Sequence, residues 1–396
     1  MERSFTFHFS LSTFHSSLFT FHFSLFIFHF SFFTFHFQRE NMKARNARID
    51  TLRVVAMLMI ICGHFIYHGM RHVGLQESTG VPFADNAVGR MNFVMAQFLG
   101  YACNIATNIY FMITGYFLVK PRTLSYAVSK SWKLWRTIVF YTLSVYAVLC
   151  ATGALDFSVS QLIEQLMPIH SRKYWFMSNY IVVLLLSPFV SKALDALAKK
   201  EYQGLLLVLL LLNFAEGSWG YGGIFSGGMS LVFCLSLFTL GGYLKKFPLP
   251  AFRFDHVVYL VGYLSICLFF TLNSYVGQLG AFGDADTLLN IRALANNSVP
   301  LLSSVCFFLV FASGRWSVPN SVSRLAVGCS PYIMAVYLIH DNVYLRPLLW
   351  DGVVRPLNYV NSCWFLPYCV AVVVAVFVFC LSVEYVRQKV VSIIKK

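Results

Sequence analysis

Two ionisable side chains, Arg53 and His64, lie eleven residues apart within one apolar segment of the sequence. On an α-helix eleven residues turn about 1100°, which is within about 20° of three full turns, so both side chains would share one face. They would stand about 16 Å apart along the helix axis. A histidine can accept or donate a proton near neutral pH, and an arginine can bind an anion through paired hydrogen bonds. The spacing therefore predicts a proton-transfer residue and an anion-binding residue on one helix.

The composition places these two residues in a membrane protein. Hydrophobic residues make up 58% of the 396 residues and charged residues only 12%, whereas soluble domains carry about a quarter charged residues. Beyond residue 41 the chain contains about ten apolar runs, judged against the roughly 20 residues that a membrane-spanning helix needs. The sequence therefore predicts an all-α integral membrane protein with about ten transmembrane helices. The runs are centred on residues 52–70, 102–119, 135–152, 174–191, 204–215, 229–244, 257–273, 299–313, 329–346 and 364–384.

The first predicted helix sets the depth of the two ionisable residues. If this helix enters the membrane at Arg53, His64 lies near the middle of the bilayer, where an ionisable group is costly and is by default a functional candidate. Asp50, three residues before Arg53, is expected to cap the start of the helix and to pair with Arg53.

Basic residues are distributed unevenly between alternate connections. With residue 42 on the cytoplasmic side, the predicted inner segments contain 21 Lys and Arg residues and the predicted outer segments contain 7. Because basic residues accumulate on the cytoplasmic side, we expect both termini in the cytoplasm. The net charge of +14 then reflects membrane topology, and we expect no nucleic-acid partner. The ten cysteines are scattered singly, which is typical of packing residues.

Residues 1–41 form a repeat in which histidine recurs every seven residues on a background of Phe, Ser and Thr. A His-rich metal-binding or membrane-lying segment is one interpretation of this pattern. The segment that begins at Met42 is an ordinary basic lead-in to a first transmembrane helix, which favours an over-extended start. We therefore interpret residues 1–41 as a leader without a function and residues 42–396 as the membrane domain.

Five segments of the sequence resemble the acyltransferase-3 family, in order and in spacing. Members of this family are multi-pass membrane enzymes that transfer acyl groups, usually acetyl, to hydroxyls of surface and exported carbohydrates. The resemblance implies a polytopic enzyme of the bacterial cytoplasmic (inner) membrane, with acetyl-CoA or another acyl-CoA as the donor. It also implies membrane lipid and a carbohydrate or lipid-linked glycan as partners. The segments are RIDTLRVVAMLMIICGH (48–64), NIYFMITGYFL (108–118), KLWRTI (133–138), YWFMSNYIVVLLLSPF (174–189) and VYLIH (336–340).

The resemblance also assigns family elements to individual positions. The family's Arg-X10-His element falls on Arg53 and His64. Its Ser-Gly-Phe element is replaced by Thr114-Gly115-Tyr116, and its basic cluster is reduced to Lys133 and Arg136. An acidic residue near the inner end of the last span has its counterpart in Glu384.

Acyl transfer from a thioester to a hydroxyl requires a base, hydrogen-bond donors and a site for an anionic carrier. His64 fits the base, and an interhelical hydrogen bond is its structural alternative. Arg53, Lys133 and Arg136 fit the phosphates of coenzyme A, although Arg53 could serve only as a cytoplasmic anchor.

The remaining candidates are assigned to substrate binding or support. His340 could orient substrate or only end its helix, and Glu384 could pair with Arg387 on the last helix. Tyr174 and Trp175 could stack on a sugar or belong to the interfacial aromatic belt.

Two further interpretations are less favoured by the sequence. His64 and His68 have metal-ligand spacing, but the sequence suggests no carboxylate or third histidine nearby, so we expect no metal. A transporter or flippase for a glycan could use the same buried charges, but the inverted repeats typical of transporters are not evident.

Overall fold

A computed structural model describes residues 46–70, 83–170, 173–219, 227–278, 299–313 and 317–394. The leader 1–41 lies outside these residues. The described part of the chain is helical and contains no β-strand, which confirms the predicted helical fold class. Its helices are α1 Ala47–Tyr67, α2 Ala87–Cys103, α3 Ala106–Leu118, α4 Leu124–Ala151, α5 Val159–Leu166, α6 Trp175–Ala196, α7 Lys199–Trp219, α8 Leu231–Lys246, α9 Asp255–Gln278, α10 Val299–Ala312, α11 Asn320–Cys329, α12 Ile333–His340 and α13 Phe365–Ile394.

Each of the ten predicted spans overlaps one of these helices. Five of the described helices are long and apolar enough to cross a membrane. They become six if α11 and α12, which meet at a 60° bend, form one broken span. The protein is thus an integral membrane protein, while ten spans and cytoplasmic termini remain predictions.

Helix α1 starts at a cap that differs from the predicted one. The side chain of Asn46 accepts a hydrogen bond from the backbone N–H of Ile49, so Asn46 is the N-cap and the prediction of Asp50 is wrong. Asp50 lies within the helix and is buried. Its Oδ1 accepts hydrogen bonds from Arg53 Nη1 at 2.7 Å and from Ser330 Oγ at 2.9 Å, which confirms the predicted pair with Arg53. Asp50 is unavailable as a cap because its carboxylate joins α1 to the bend between α11 and α12.

Helix α1 lies at the centre of the bundle. It packs against α2, α3, α10, α11, α12 and α13. Leu52, Ala56, Met57, Ile61 and Phe65 on this helix are fully buried. A helix that is apolar on most of its circumference is expected in the interior of a helical membrane protein, and this position lets α1 contribute side chains to several helix interfaces.

The helices α3 and α8 approach each other backbone to backbone. A Cβ atom added to Gly115 on α3 would overlap the carbonyl oxygen of Phe238 on α8, and one added to Gly241 on α8 would overlap that of Met112 on α3. Small residues permit such close approach of helices in membranes, where packing is a main source of association. Gly115 of the Thr114-Gly115-Tyr116 element is thus required by the contact between α3 and α8.

We expect Gly115→Ala to destabilise the protein by about 1–3 kcal/mol, because its methyl group would push α3 away from α8. Gly204→Ala on α7 is a matched control, since no atom lies within 4 Å of its added Cβ, and its stability should stay within about 1 kcal/mol of wild type. Thermal unfolding of the detergent-solubilised variants measures both effects. Equal melting temperatures for Gly115→Ala and wild type would contradict the packing argument.

Candidate active site

His64 lies in the last turn of α1, whereas Arg53 lies in its second turn. The helix begins six residues before Arg53 and ends three residues after His64. His64 therefore stands nearer the end of α1 than its middle, because the helix ends at Tyr67. The His64 side chain is 18% exposed and that of His68, just beyond the helix, is 25% exposed. This end of α1 thus presents two partly accessible imidazoles.

The Nδ1 side of His64 faces polar groups at the end of α12. His64 Nδ1 lies 3.0 Å from Nε2 of His340 and 3.6 Å from Oδ1 of Asp341. The same Asp341 oxygen lies 3.5 Å from Nε2 of His68. The structure thus brings His64 and His340, which are separated by 276 residues, into one cluster. The interhelical hydrogen bond that was the structural alternative for His64 is present, and His340 is its partner.

Asp341 is almost fully buried, and Arg346 balances its charge. Arg346 places Nε at 2.9 Å and Nη2 at 2.8 Å from Oδ1 of Asp341. A buried carboxylate without such a partner would be strongly unfavourable. The charge pair fixes the position of Asp341 beside the two partly exposed histidines.

Tyr174 supports the same region from the start of α6. Its hydroxyl donates to the backbone oxygen of Leu338 at 2.8 Å and accepts from Asn342 Nδ2 at 2.9 Å. The Tyr174 ring is buried, so Tyr174 holds the end of α12 in place and its ring has no open face for stacking. Trp175 is half-buried and packs against the hydrophobic core.

The structure corrects the expectation that no carboxylate lies near His64 and His68. Asp341 supplies the carboxylate that the sequence did not suggest, and the ligand atoms of His64, His68 and Asp341 lie within 4.8 Å of one another. These three residues could in principle hold a metal ion. The guanidinium of Arg346 already contacts the Asp341 oxygen, however, and a second positive charge at that oxygen would be repelled. The expectation of no metal therefore remains a prediction.

Arg53, near the other end of α1, lies among residues of α1 and α3. Besides its pair with Asp50, its guanidinium lies 5.5 Å from the centre of the Phe117 ring. Its side chain is 30% exposed. Lys133 and Arg136 are exposed on α4, and no hydrogen bond or ion pair among the described residues joins them to Arg53. The structure thus provides one partly buried cation and two exposed cations, without assembling them into a single site.

Glu384 forms a separate buried network on α13. It accepts hydrogen bonds from Arg387 at 2.6 Å, from Tyr141 at 2.5 Å and from Gln388 at 2.7 Å. The predicted pair with Arg387 is therefore present. Because Tyr141 belongs to α4, this network ties α4 to α13, and the carboxylate has its hydrogen-bonding capacity filled by protein groups.

Sequence reasoning did not place Asp341 in one site with His64 and His68, and it overlooked Arg346. Two signals pointed to them: the four-residue spacing of His64 and His68, and the adjacent His340 and Asp341 at the end of a predicted span. Arg346 follows Asp341 by five residues and carries no such signal.

This helical membrane domain holds a partly exposed histidine beside a buried carboxylate, two groups with acid–base chemistry. A family model described as an acyltransferase domain, Acyl_transf_3, matches residues 46–382. The chain therefore belongs to the acyltransferase-3 family, as the resemblance predicted, and this family comprises membrane acyltransferases. Neither a curated protein nor a solved structure matches the chain significantly.

We expect acyltransferase activity to be insensitive to metal removal, because Arg346 already contacts Oδ1 of Asp341, the oxygen that lies nearest His64 and His68. Membranes containing the protein can be treated with 1,10-phenanthroline, with the non-chelating 1,7-isomer as the matched control. Loss of activity with the chelating isomer alone, followed by recovery on addition of Zn²⁺, would show that a metal is required.

Proposed function

We propose that the protein is an O-acyltransferase that moves an acetyl group from acetyl-CoA to a hydroxyl of a surface or exported polysaccharide. One observation carries this proposal: within an acyltransferase domain, the partly exposed His64 is held by His340 and lies beside the buried Asp341. The proposed setting is the bacterial cytoplasmic membrane, with the donor on the cytoplasmic side.

In the proposed reaction His64 acts as a general base. The acceptor hydroxyl loses its proton to His64 while its oxygen attacks the thioester carbonyl. The carbon–sulfur bond then breaks, and the departing thiolate takes the proton from His64, which leaves an ester and free coenzyme A. The imidazolium formed between these steps lies 3.6 Å from the Asp341 carboxylate, which favours its charge.

Arg53 is proposed to bind the phosphates of the donor. A guanidinium forms paired hydrogen bonds with phosphate oxygens, and the Arg53 side chain is 30% exposed. Lys133 and Arg136 add positive charge from the exposed surface of α4 and attract the same anion.

We expect His64→Ala to lower kcat by about 10²- to 10⁴-fold, the usual contribution of a general base. Transfer from radiolabelled acetyl-CoA to polysaccharide in isolated membranes measures this loss, with equal protein amounts established by size-exclusion chromatography in detergent. His256→Ala on α9 is a matched control, because it removes a partly exposed histidine outside the cluster. Unchanged transfer by the His64 variant would exclude the proposed base.

We expect Arg53→Ala to raise the KM for acetyl-CoA several-fold with little change in kcat, because phosphate contacts bind donor and transition state equally. Arg324→Ala on α11 removes an exposed arginine and should leave the KM unchanged. A loss confined to kcat would instead place Arg53 with the reacting groups.

A further inference from the structure

His340 is a buried imidazole with two polar contacts of defined chemistry. Its Nδ1 lies 2.6 Å from the backbone oxygen of Val336, and its Nε2 lies 3.0 Å from Nδ1 of His64. The His340 side chain is 1% exposed. Both ring nitrogens are therefore used within the protein, and His340 has no surface with which to contact a substrate.

These two contacts determine where the hydrogens lie. A carbonyl oxygen can only accept a hydrogen bond, so Nδ1 of His340 must carry the hydrogen in the contact with Val336. In neutral His340 the lone pair is then on Nε2, which faces His64. Nδ1 of His64 must donate to this lone pair, because the other tautomer would set two lone pairs against each other. The lone pair of His64 is consequently on Nε2.

We propose that His340 is a positioning residue that fixes the tautomer of His64, so that Nε2 of His64 is the atom that accepts the proton. The inference rests on the proposed function and adds to it the reacting atom and the residue that selects it. Hydrogen bonds connect the Val336 carbonyl oxygen to His340 and His340 to Nδ1 of His64. The proton of the acceptor hydroxyl is transferred to Nε2 of His64.

Asp341 is consistent with this arrangement. Its carboxylate lies on the Nδ1 side of His64, at 3.6 Å, which is longer than a hydrogen bond. It therefore leaves the Nδ1 hydrogen to His340 and acts on the protonated ring through its charge. In a serine protease, a change that gives the catalytic histidine the wrong tautomer lowers kcat by about 10⁴-fold.

A merely structural His340 would fill space between α1 and α12. Two amide substitutions separate this role from tautomer selection. Glutamine places its amide oxygen near the position of Nε2 and can still accept from His64, whereas asparagine reaches only the position of Nδ1. Both substitutions keep a polar side chain at a buried position, so their effects on folding are comparable.

The experiment compares His340→Gln and His340→Asn in membranes supplied with radiolabelled acetyl-CoA. We expect His340→Asn to lose about 10²-fold or more in kcat and His340→Gln to stay within about tenfold of wild type, each with a KM within about twofold. His256→Asn, at a histidine outside the cluster, is the matched control and should keep the wild-type kcat. Recovery from detergent as a single size-exclusion peak verifies folding.

Equal losses in the two variants, or losses in KM instead of kcat, would overturn the role of His340. So would a kcat of His340→Gln as low as that of His64→Ala, a comparison that does not depend on the asparagine variant. Absence of transfer by the wild-type protein would contradict the proposed function, whereas full transfer by His64→Ala would exclude His64 as the base. If His64→Ala is inactive while His340→Asn is fully active, only the positioning role fails.

Discussion

The arrangement of the site depends on one constraint: the negative charge of the buried Asp341 carboxylate must be balanced. Asp341 is 3% exposed, and an unpaired charge there would cost several kcal/mol. Arg346 supplies the opposite charge, and His64 and His68 lie within 3.6 Å of the same carboxylate oxygen. Because these partners come from α1 and from the segment that follows α12, the carboxylate also fixes how the two helices meet. Tyr174, at the start of α6, supports the same junction through its hydrogen bonds with Leu338 and Asn342.

Charged groups with partners lie near both ends of the central helix. At one end Asp50 joins Arg53 to Ser330, and at the other end His64 meets His340 and Asp341. A membrane protein can hold such groups in its interior only where each finds a partner. The two ends of α1 therefore carry different chemical groups, which suits a reaction with its donor and acceptor on opposite sides of a membrane.

Local features of the structure were predictable from the sequence, whereas features that need distant partners were not. The helical face shared by Arg53 and His64 follows from their spacing, and the pairing of Glu384 with Arg387 follows from the i, i+3 rule. The placement of His340 and Asp341 beside His64 depends on α12 packing against α1, and nothing local encodes the contact between His64 and His340, which are 276 residues apart. The cap at Asn46 was missed for a related reason, since Ser330 and Arg53 engage the Asp50 carboxylate instead.

The face of α1 between Arg53 and His64 is closed by side chains. Met57 and Ile60 occupy this stripe and are buried, so no open path follows the helix from the arginine to the histidine. Among the described residues, His64 is accessible along α1 from its own end, where His64 and His68 are partly exposed. If Arg53 binds the phosphates of the donor, the thioester must pass neighbours of α1 that separate during turnover. A dependence of donor affinity on Arg53 would show that the donor contacts the Arg53 end of α1, because a donor held only at the His64 end would not sense this arginine.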